Sequence, residues 1–431
     1  MTYEKTLQYL YAQLPMFQNI GAGAYKPGLQ NSEALDNYFG HPHRKFRTIH
    51  VAGTNGKGST SHLLAAILQQ NGYKVGLYTS PHLVDFRERI RVNGNMIPKE
   101  AVMEFTEKHL DATRHIHPSF FELTMMMAFD YFAQQQVDVA VIEVGLGGRL
   151  DSTNIITPDL CVITNISFDH IQFLGNTLPA IAREKAGIIK HGIPVVIGEA
   201  AGEVKEVFQQ QAQEVQAPIV FAEERHPIAW ATQQENGFWS FESDEYPHLQ
   251  GELGGLCQEK NAATVLTAVE QLKRLGYRID TRSVYEGFAR VTELTGLMGR
   301  WQQLSSSPRL ICDTGHNTGG IAYIAQQLVR EKYDTLRIVI GMVNDKDISG
   351  VLRMLPTHAV YYFTKASVSR ALPEEDFARK AREAGLSGNC YPNVTEAVEA
   401  AQKESRPEDL IFVGGSTFIV ADLLQYFTSR Q

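Results

Sequence analysis

Thr48-Ile-His-Val-Ala-Gly-Thr-Asn-Gly-Lys-Gly-Ser-Thr60 is the stretch whose reading decides the fold. Ile49–Ala52 is a short apolar run of the kind a buried strand needs. It breaks into the turn Gly53-Thr-Asn-Gly-Lys-Gly58. Ser59 then opens a helical pattern carried by Leu63, Leu64, Ala66, Ile67 and Leu68. Strand, glycine turn, helix is a phosphate-binding geometry: backbone N–H groups converge on an anion and the helix N-terminus adds its dipole. Lys57 would reach terminal phosphates, and the Ser59 hydroxyl could hold Mg²⁺. The spelling departs from G-x-x-x-x-G-K-[ST], because Gly53 is too close to Gly56 and Gly58 separates Lys57 from Ser59.

Working outward, 431 residues exceed what one core supports, so two domains are expected. A hydrophobic content of 43% and a charged content of 20% are ordinary for a globular protein. The net charge of −8 argues against a nucleic-acid partner. The four cysteines are widely spaced and form no Cys-x-x-Cys, so neither a zinc knuckle nor a disulfide framework is indicated. No signal peptide is visible, and no apolar run approaches the roughly 18 residues that span a bilayer. No membrane role and a cytoplasmic location are the expectation.

Along the chain, residues 3–14 keep helical spacing and 21–28 read as a loop. Lys74–Tyr78 reads as a second strand, ending in Thr79-Ser80-Pro-His-Leu83. Val137–Val144 reads as a central parallel strand buried on both faces. Glu143 near its end is out of place unless paired or metal-bound, and an acidic group ending a strand beside a phosphate loop is the usual partner of Mg²⁺. Residues 145–154 are glycine-rich and suit a flexible loop over a site. Leu160–Ile166 is another buried strand, running into Ser167-Phe-Asp-His170. Residues 223–248 suggest hairpins, and Asn261–Leu275 a helix. Periodicity lapses at 295–299, which sets the boundary between residues 1–296 and 297–431. Beyond it strand and helix alternate, as parallel βαβ units do. The fold class expected is α/β, a doubly wound ATPase-type domain followed by a Rossmann-like one. A doubly wound sheet brings the loop, Ser80, Glu143 and His170 to one edge. From spacing alone His170 reads equally as a metal ligand or as a hydrogen-bonded loop residue.

These residues resemble the folylpolyglutamate synthase/dihydrofolate synthase group of the Mur-ligase superfamily. The resemblance rests on Gly53–Ser59, Thr79–Leu83, Ser119-Phe-Phe-Glu122, Glu143–Asn154, Phe168-Asp-His170, Ile181–Lys190, Gly299-Arg300, Asp313-Thr-Gly-His-Asn317 and Gly341–Asp347, in family order over nearly the whole chain. It implies that Gly53, Thr54, Asn55, Gly56, Lys57, Gly58 and Ser59 cradle ATP. It makes Ser59, Ser80, Glu143 and His170 ligands for Mg²⁺, two ions being implied, and gives catalytic roles to Lys57, His170 and Lys185. Lys185 matches a lysine that carries a carbamate; on sequence alone it reads as a solvated helix lysine. Ser119, Phe120, Phe121, Glu122, Leu150, Asp151 and Ser152 match pterin-contacting segments. Asn261, Arg300, Asp313 and His316 match nucleotide contacts. The resemblance further implies an ADP-forming ligase that joins L-glutamate to dihydropteroate or a reduced folate, a monomer, and ATP held where the two domains close. Asp313-Thr-Gly-His-Asn departs from the common Asp-Gly-Ala-His-Asn, and Ser119 and Ser152 stand where threonine and alanine are common.

Overall fold

The computed structural model describes residues 1–13, 28–234, 237–344 and 346–430. Leu14, most of the loop expected at 21–28, and Asp345 lie outside them. The chain divides into two compact units. The first holds Met1–Ser167, Ile171–Glu252 and Gln258–Leu297; the second holds Phe168–His170, Leu253–Cys257 and Met298–Gln431.

The first unit is built on an eight-stranded sheet of order β4-β3-β2-β5-β1-β6-β7-β8. The strands are β1 (Arg47–Ala52), β2 (Val75–Tyr78), β3 (Ile90–Val92), β4 (Asn95–Met96), β5 (Val139–Glu143), β6 (Leu160–Ile163), β7 (Val195–Ile197) and β8 (Ile219–Phe221). β1 pairs in parallel with both β5 and β6, while β3 and β4 run antiparallel at one edge. The chain therefore leaves β1 at a switch point, with later strands on either side, which is where open α/β sheets bind ligands. β1 and β5 are buried almost throughout, as strands covered on both faces must be. One layer buries Tyr78, Phe129, Phe132 and Met125–Met127; the other buries Ile163, Ile188, Ile197 and Phe208. The three methionines are core filling. The hairpins expected at 223–248 form a three-stranded antiparallel sheet of β9 (Trp230–Gln233), β10 (Trp239–Glu242) and β11 (Leu249–Gly251).

The second unit carries a six-stranded sheet of order β12-β13-β17-β14-β15-β16. Its strands are β12 (Gln302–Ser306), β13 (Arg309–Cys312), β14 (Leu336–Ile340), β15 (Val360–Phe363), β16 (Gly388–Cys390) and β17 (Leu410–Gly414). All pairs are parallel except β12 with β13. β12 escapes the sequence reading because Gln302-Gln-Leu-Ser-Ser306 is polar: an edge strand buries little. Cys161 and Cys312 are buried within strands, and all four cysteines are free thiols.

Candidate functional site

In the first unit the helix after β1 begins at Lys57, two residues before the Ser59 start that the pattern suggests. Gly56 is its N-cap in the left-handed region (φ 82°), and a Cβ there would lie 2.3 Å from Asn261 Oδ1. Only glycine fits both the dihedral and the gap. The first intrahelical bond runs from Thr60 N–H to Gly56 O at 2.9 Å, so the N–H groups of residues 57–59 lie ahead of the helical ladder, in the first turn. Together they make an anion cradle.

The loop is braced from β6. Asn55 N–H donates to Asn165 Oδ1 at 3.0 Å, and Ser167 N–H donates to Thr54 Oγ1 at 3.1 Å. Lys57 Nζ donates to Thr54 O at 3.0 Å. Lys185, from the helix Leu178–Ala186, is buried rather than solvated, and its Nζ donates to Gly53 O at 2.9 Å. On the helix Gln258–Arg274, Asn261 Nδ2 donates to Gln258 Oε1 at 2.9 Å, and Gln258 Nε2 reaches Ser59 Oγ at 3.5 Å.

Glu143 ends β5, its carbon trace beside Val51, two residues before the loop. It is 4% exposed and accepts from Ser80 N–H at 2.9 Å. Ser59 is 2% exposed. Hydroxyl and carboxylate oxygens are the hard donors that Mg²⁺ takes, so the buried Ser59 and Glu143 and the half-buried Ser80 fit that ion by chemistry.

The residues expected to touch a pterin fall into two local devices. Ser119 and Glu122 form a reciprocal capping box for the helix Phe120–Gln134, with Ser119 N–H donating to Glu122 Oε2 at 2.6 Å. The Phe120 ring lies beneath the Arg89 guanidinium at 5.2 Å, and Phe121 packs on Tyr78 at 5.9 Å between ring centres. Arg89, 3% exposed, donates to His82 Nδ1 at 2.7 Å. It was hidden in the sequence because Arg87-Glu-Arg-Ile-Arg91 is a charged segment in which nothing local marks Arg89 as buried.

Residues 145–154, expected to be a flexible loop, are pinned. Asp151 is buried and accepts from Leu146 N–H at 2.8 Å and from Thr153 N–H at 3.0 Å. Thr153 Oγ1 also donates to it at 2.5 Å. Burial raises the Asp151 carboxyl's pKa, against the pull of these donors. A Cβ on Gly148 would meet Glu184 O at 2.8 Å, so that glycine serves close packing on a helix rather than flexibility. Leu150 and Ser152 are half-buried beside Asp151.

The loop, Ser80 and Glu143 belong to the first unit. Phe168–His170 clusters with the second unit. The reason is Asp169, which forms an ion pair with Lys346, both side chains under a tenth exposed. His316 Nε2 is 3.2 Å from the same carboxylate, and Asn317 Nδ2 donates to it at 3.0 Å. Burial opposes the charge on Asp169, but the His316 hydrogen bond and the charges of His316, Lys346 and His170 outweigh it and hold the carboxyl far below its usual range. His170 Nε2 stands 3.8 Å from Asp169 Oδ1.

Also in the second unit, Asp313 directly follows β13 and accepts from Trp301 N–H and Gly315 N–H, each at 2.8 Å. Burial raises its pKa, partly countered by Arg300. Asn317 caps the helix Thr318–Arg330. Sequence reasoning did not single out Asp169 or Lys346 as site residues, since charged residues in irregular segments look solvated until their partner is seen.

Comparison with known proteins gives two family matches. The Mur ligase middle domain matches residues 51–269, and the Mur ligase glutamate ligase domain matches residues 299–417. The dihydrofolate synthase/folylpolyglutamate synthase of Escherichia coli (strain K12) is 35% identical over 88% of this chain and 86% of its own length. The structure of E. coli FolC in complex with DHPP and ADP superposes with a TM-score of 0.84 at 32% identity, over 100% of this chain and 98% of that one. A bifunctional folylpolyglutamate synthase/dihydrofolate synthase with Mn, AMPPNP and L-glutamate bound has a TM-score of 0.82 at 29% identity, over 99% of this chain and 98% of that one.

Proposed function

The chain belongs to the folylpolyglutamate synthase/dihydrofolate synthase family of the Mur ligases, and from that premise we propose that it is a bifunctional ATP-dependent glutamate ligase. It joins L-glutamate first to dihydropteroate and later to a reduced folate, releasing ADP and phosphate. The observation that carries this reading is the match of 88% of the chain to a synthase named for both activities, with the cradle at Gly56–Ser59 built. Residues 1–296 form the ATP-binding part with the pterin segments, and residues 297–431 the glutamate-ligase part.

The chemistry follows from the acceptor. A carboxylate is a poor electrophile. Its oxygen takes the γ-phosphoryl group as the bond to ADP breaks, giving an acyl phosphate. The glutamate amine then forms a bond to the carbonyl carbon, loses a proton, and the C–O bond to phosphate breaks. Such transfer needs positioning and charge neutralisation rather than a protein nucleophile. The N–H groups of residues 57–59 and the Lys57 ammonium hold the phosphates. Ser59, Ser80, Glu143 and His170 would hold Mg²⁺, with two ions implied by the resemblance. Bound Mg²⁺ supplies positive charge at the phosphate oxygens. Asn261, Arg300, Asp313 and His316 contact the nucleotide. Ser119–Glu122 and Leu150–Ser152 contact the pterin, with the capping box and Asp151 fixing the backbone they present.

Lys185 fits a carbamate, since its buried nitrogen still keeps one N–H for Gly53 O after the ammonium releases one proton and the amine releases a second on bonding to CO₂. Labelling the protein with ¹³C-bicarbonate tests this: a carbamate carbon resonance lost in Lys185→Arg is expected, and an unchanged spectrum excludes it. The protein acts as a cytoplasmic monomer; among the described residues no helix is long and apolar enough to cross a membrane.

The assay uses purified protein with Mg-ATP and glutamate, adding dihydropteroate or a reduced folate separately. ADP and phosphate should appear in step with each amide product. AMP and pyrophosphate would overturn the acyl-phosphate route, and product from one pteridine alone would overturn bifunctionality.

A further inference from the structure

Asp36, His41 and His43 lie together in the first unit, on residues that neither the family motifs nor the phosphate cradle use. Asp36 sits near the end of the helix Gln30–Tyr38, and the two histidines flank Pro42 at the start of the short turn Pro42–Lys45 that leads into β1. His41 Nδ1 is 2.6 Å from Asp36 Oδ2, and His43 Nε2 is 3.3 Å from the same oxygen. One ligand atom from each residue falls within 4.8 Å of the others.

The backbone is shaped to bring them there. His41 takes the left-handed conformation (φ 56°), unfavourable for a residue with a Cβ, and its N–H donates to Asp36 O at 2.9 Å. Pro42 then sets the turn that returns His43 toward the same carboxylate. His43 is buried against Phe129, with 6.1 Å between ring centres.

A hydrogen-bonded trio does not use the carboxylate fully. Both imidazoles converge on Oδ2, while Oδ1 is buried and has no hydrogen-bond partner. Asp36 as a whole is 6% exposed. A buried carboxylate oxygen left without a donor calls for a ligand. Two imidazole nitrogens and one carboxylate are the donor set of zinc sites that keep an open position. That set disfavours Mg²⁺, which takes oxygen ligands. The His41 side chain is 33% exposed, which leaves that imidazole accessible to an ion from solvent.

We propose that Asp36, His41 and His43 bind a borderline divalent transition metal, Zn²⁺ by preference, separately from the catalytic ion. The metal takes the place of the protons now shared between the rings and the carboxylate. It staples the helix Gln30–Tyr38 to the segment entering β1, the strand that ends in the phosphate loop.

The test uses the full chain, stripped with chelator and saturated with Mg²⁺ and a non-hydrolysable ATP analogue so that the catalytic positions are filled. Zn²⁺ is titrated calorimetrically, and Co²⁺ is followed by its visible ligand-field bands. Native protein and Glu143→Gln should each take up about one Zn²⁺. His41→Gly, which relieves rather than adds backbone strain, should lose the Co²⁺ bands. It should also weaken Zn²⁺ binding beyond the ~10–100-fold expected for an outer partner. Asp36→Asn should do the same. Uptake unchanged in His41→Gly, uptake abolished only by Glu143→Gln, or no Zn²⁺ uptake by native protein would each overturn the proposal.

Discussion

Replacing His50 by glutamine should flatten the acid sensitivity of the first unit. His50 lies in the middle of β1 with no exposed surface. Its Nε2 is 2.9 Å from Thr153 Oγ1. That hydroxyl already donates to Asp151, so it accepts from His50, which fixes the neutral ring with its proton on Nε2. The other ring nitrogen, Nδ1, is buried without a partner, so a second proton would create an unpaired buried cation. Burial, with a smaller push from Lys190, lowers the His50 pKa from 6.5 to about 3. The unfolded chain therefore binds a proton that the folded chain refuses. This contribution to stability is complete above 6.5 and is lost as pH falls toward 3. At ~1.36 kcal/mol per pKa unit, the loss between about pH 7 and about pH 5 is ~2 kcal/mol. Glutamine keeps an amide N–H for Thr153 and does not titrate. Urea unfolding followed by circular dichroism at the two pH values gives the comparison. The variant should lose ~2 kcal/mol less than the native protein over that interval. Equal losses in both would refute the assignment. The effect bears on function because the same chain of bonds, His50 to Thr153 to Asp151 to Leu146 N–H, shapes the segment expected to contact the pterin.

Gly56→Ala places a Cβ 2.3 Å from Asn261 Oδ1 at a φ of 82°, so nucleotide affinity measured by calorimetry should fall at least ~10-fold. Unchanged affinity would mean that the cradle is not set by this turn. Lys57→Met should lower ligase turnover by ~10²–10³, the scale of losing one transition-state charge contact, with little change in the melting temperature. Lys346→Met breaks the buried pair with Asp169 and should destabilise the second unit by ~3–5 kcal/mol in urea. Adding Asp169→Asn should recover part of that loss, whereas additive losses would mean that the two groups are not coupled.

The cradle was legible before any coordinates because its demands are local. A glycine at a positive φ, a following lysine and hydroxyl, and an apolar strand ahead of them are written in one contiguous stretch. The alternation of strands and helices was legible for the same reason: burial on both faces leaves continuous apolar runs such as Val139–Glu143. Element ends moved by a few residues where caps rather than periodicity set them, as at Lys57. Long-range pairing was not legible. Nothing in the order of residues shows that Asp169 meets Lys346 across 177 positions, that Asp151 turns inward to organise its own loop, or that Lys185 is buried against Gly53. Nor does it show that Asp36 gathers two histidines. Hydrophobic period and turn chemistry act over a few neighbours, and so the sequence alone determined the α/β class and the glycine turn that opens the helix after β1. The state of each buried charge depends on which distant group the fold sets beside it, and only the tertiary structure decided that.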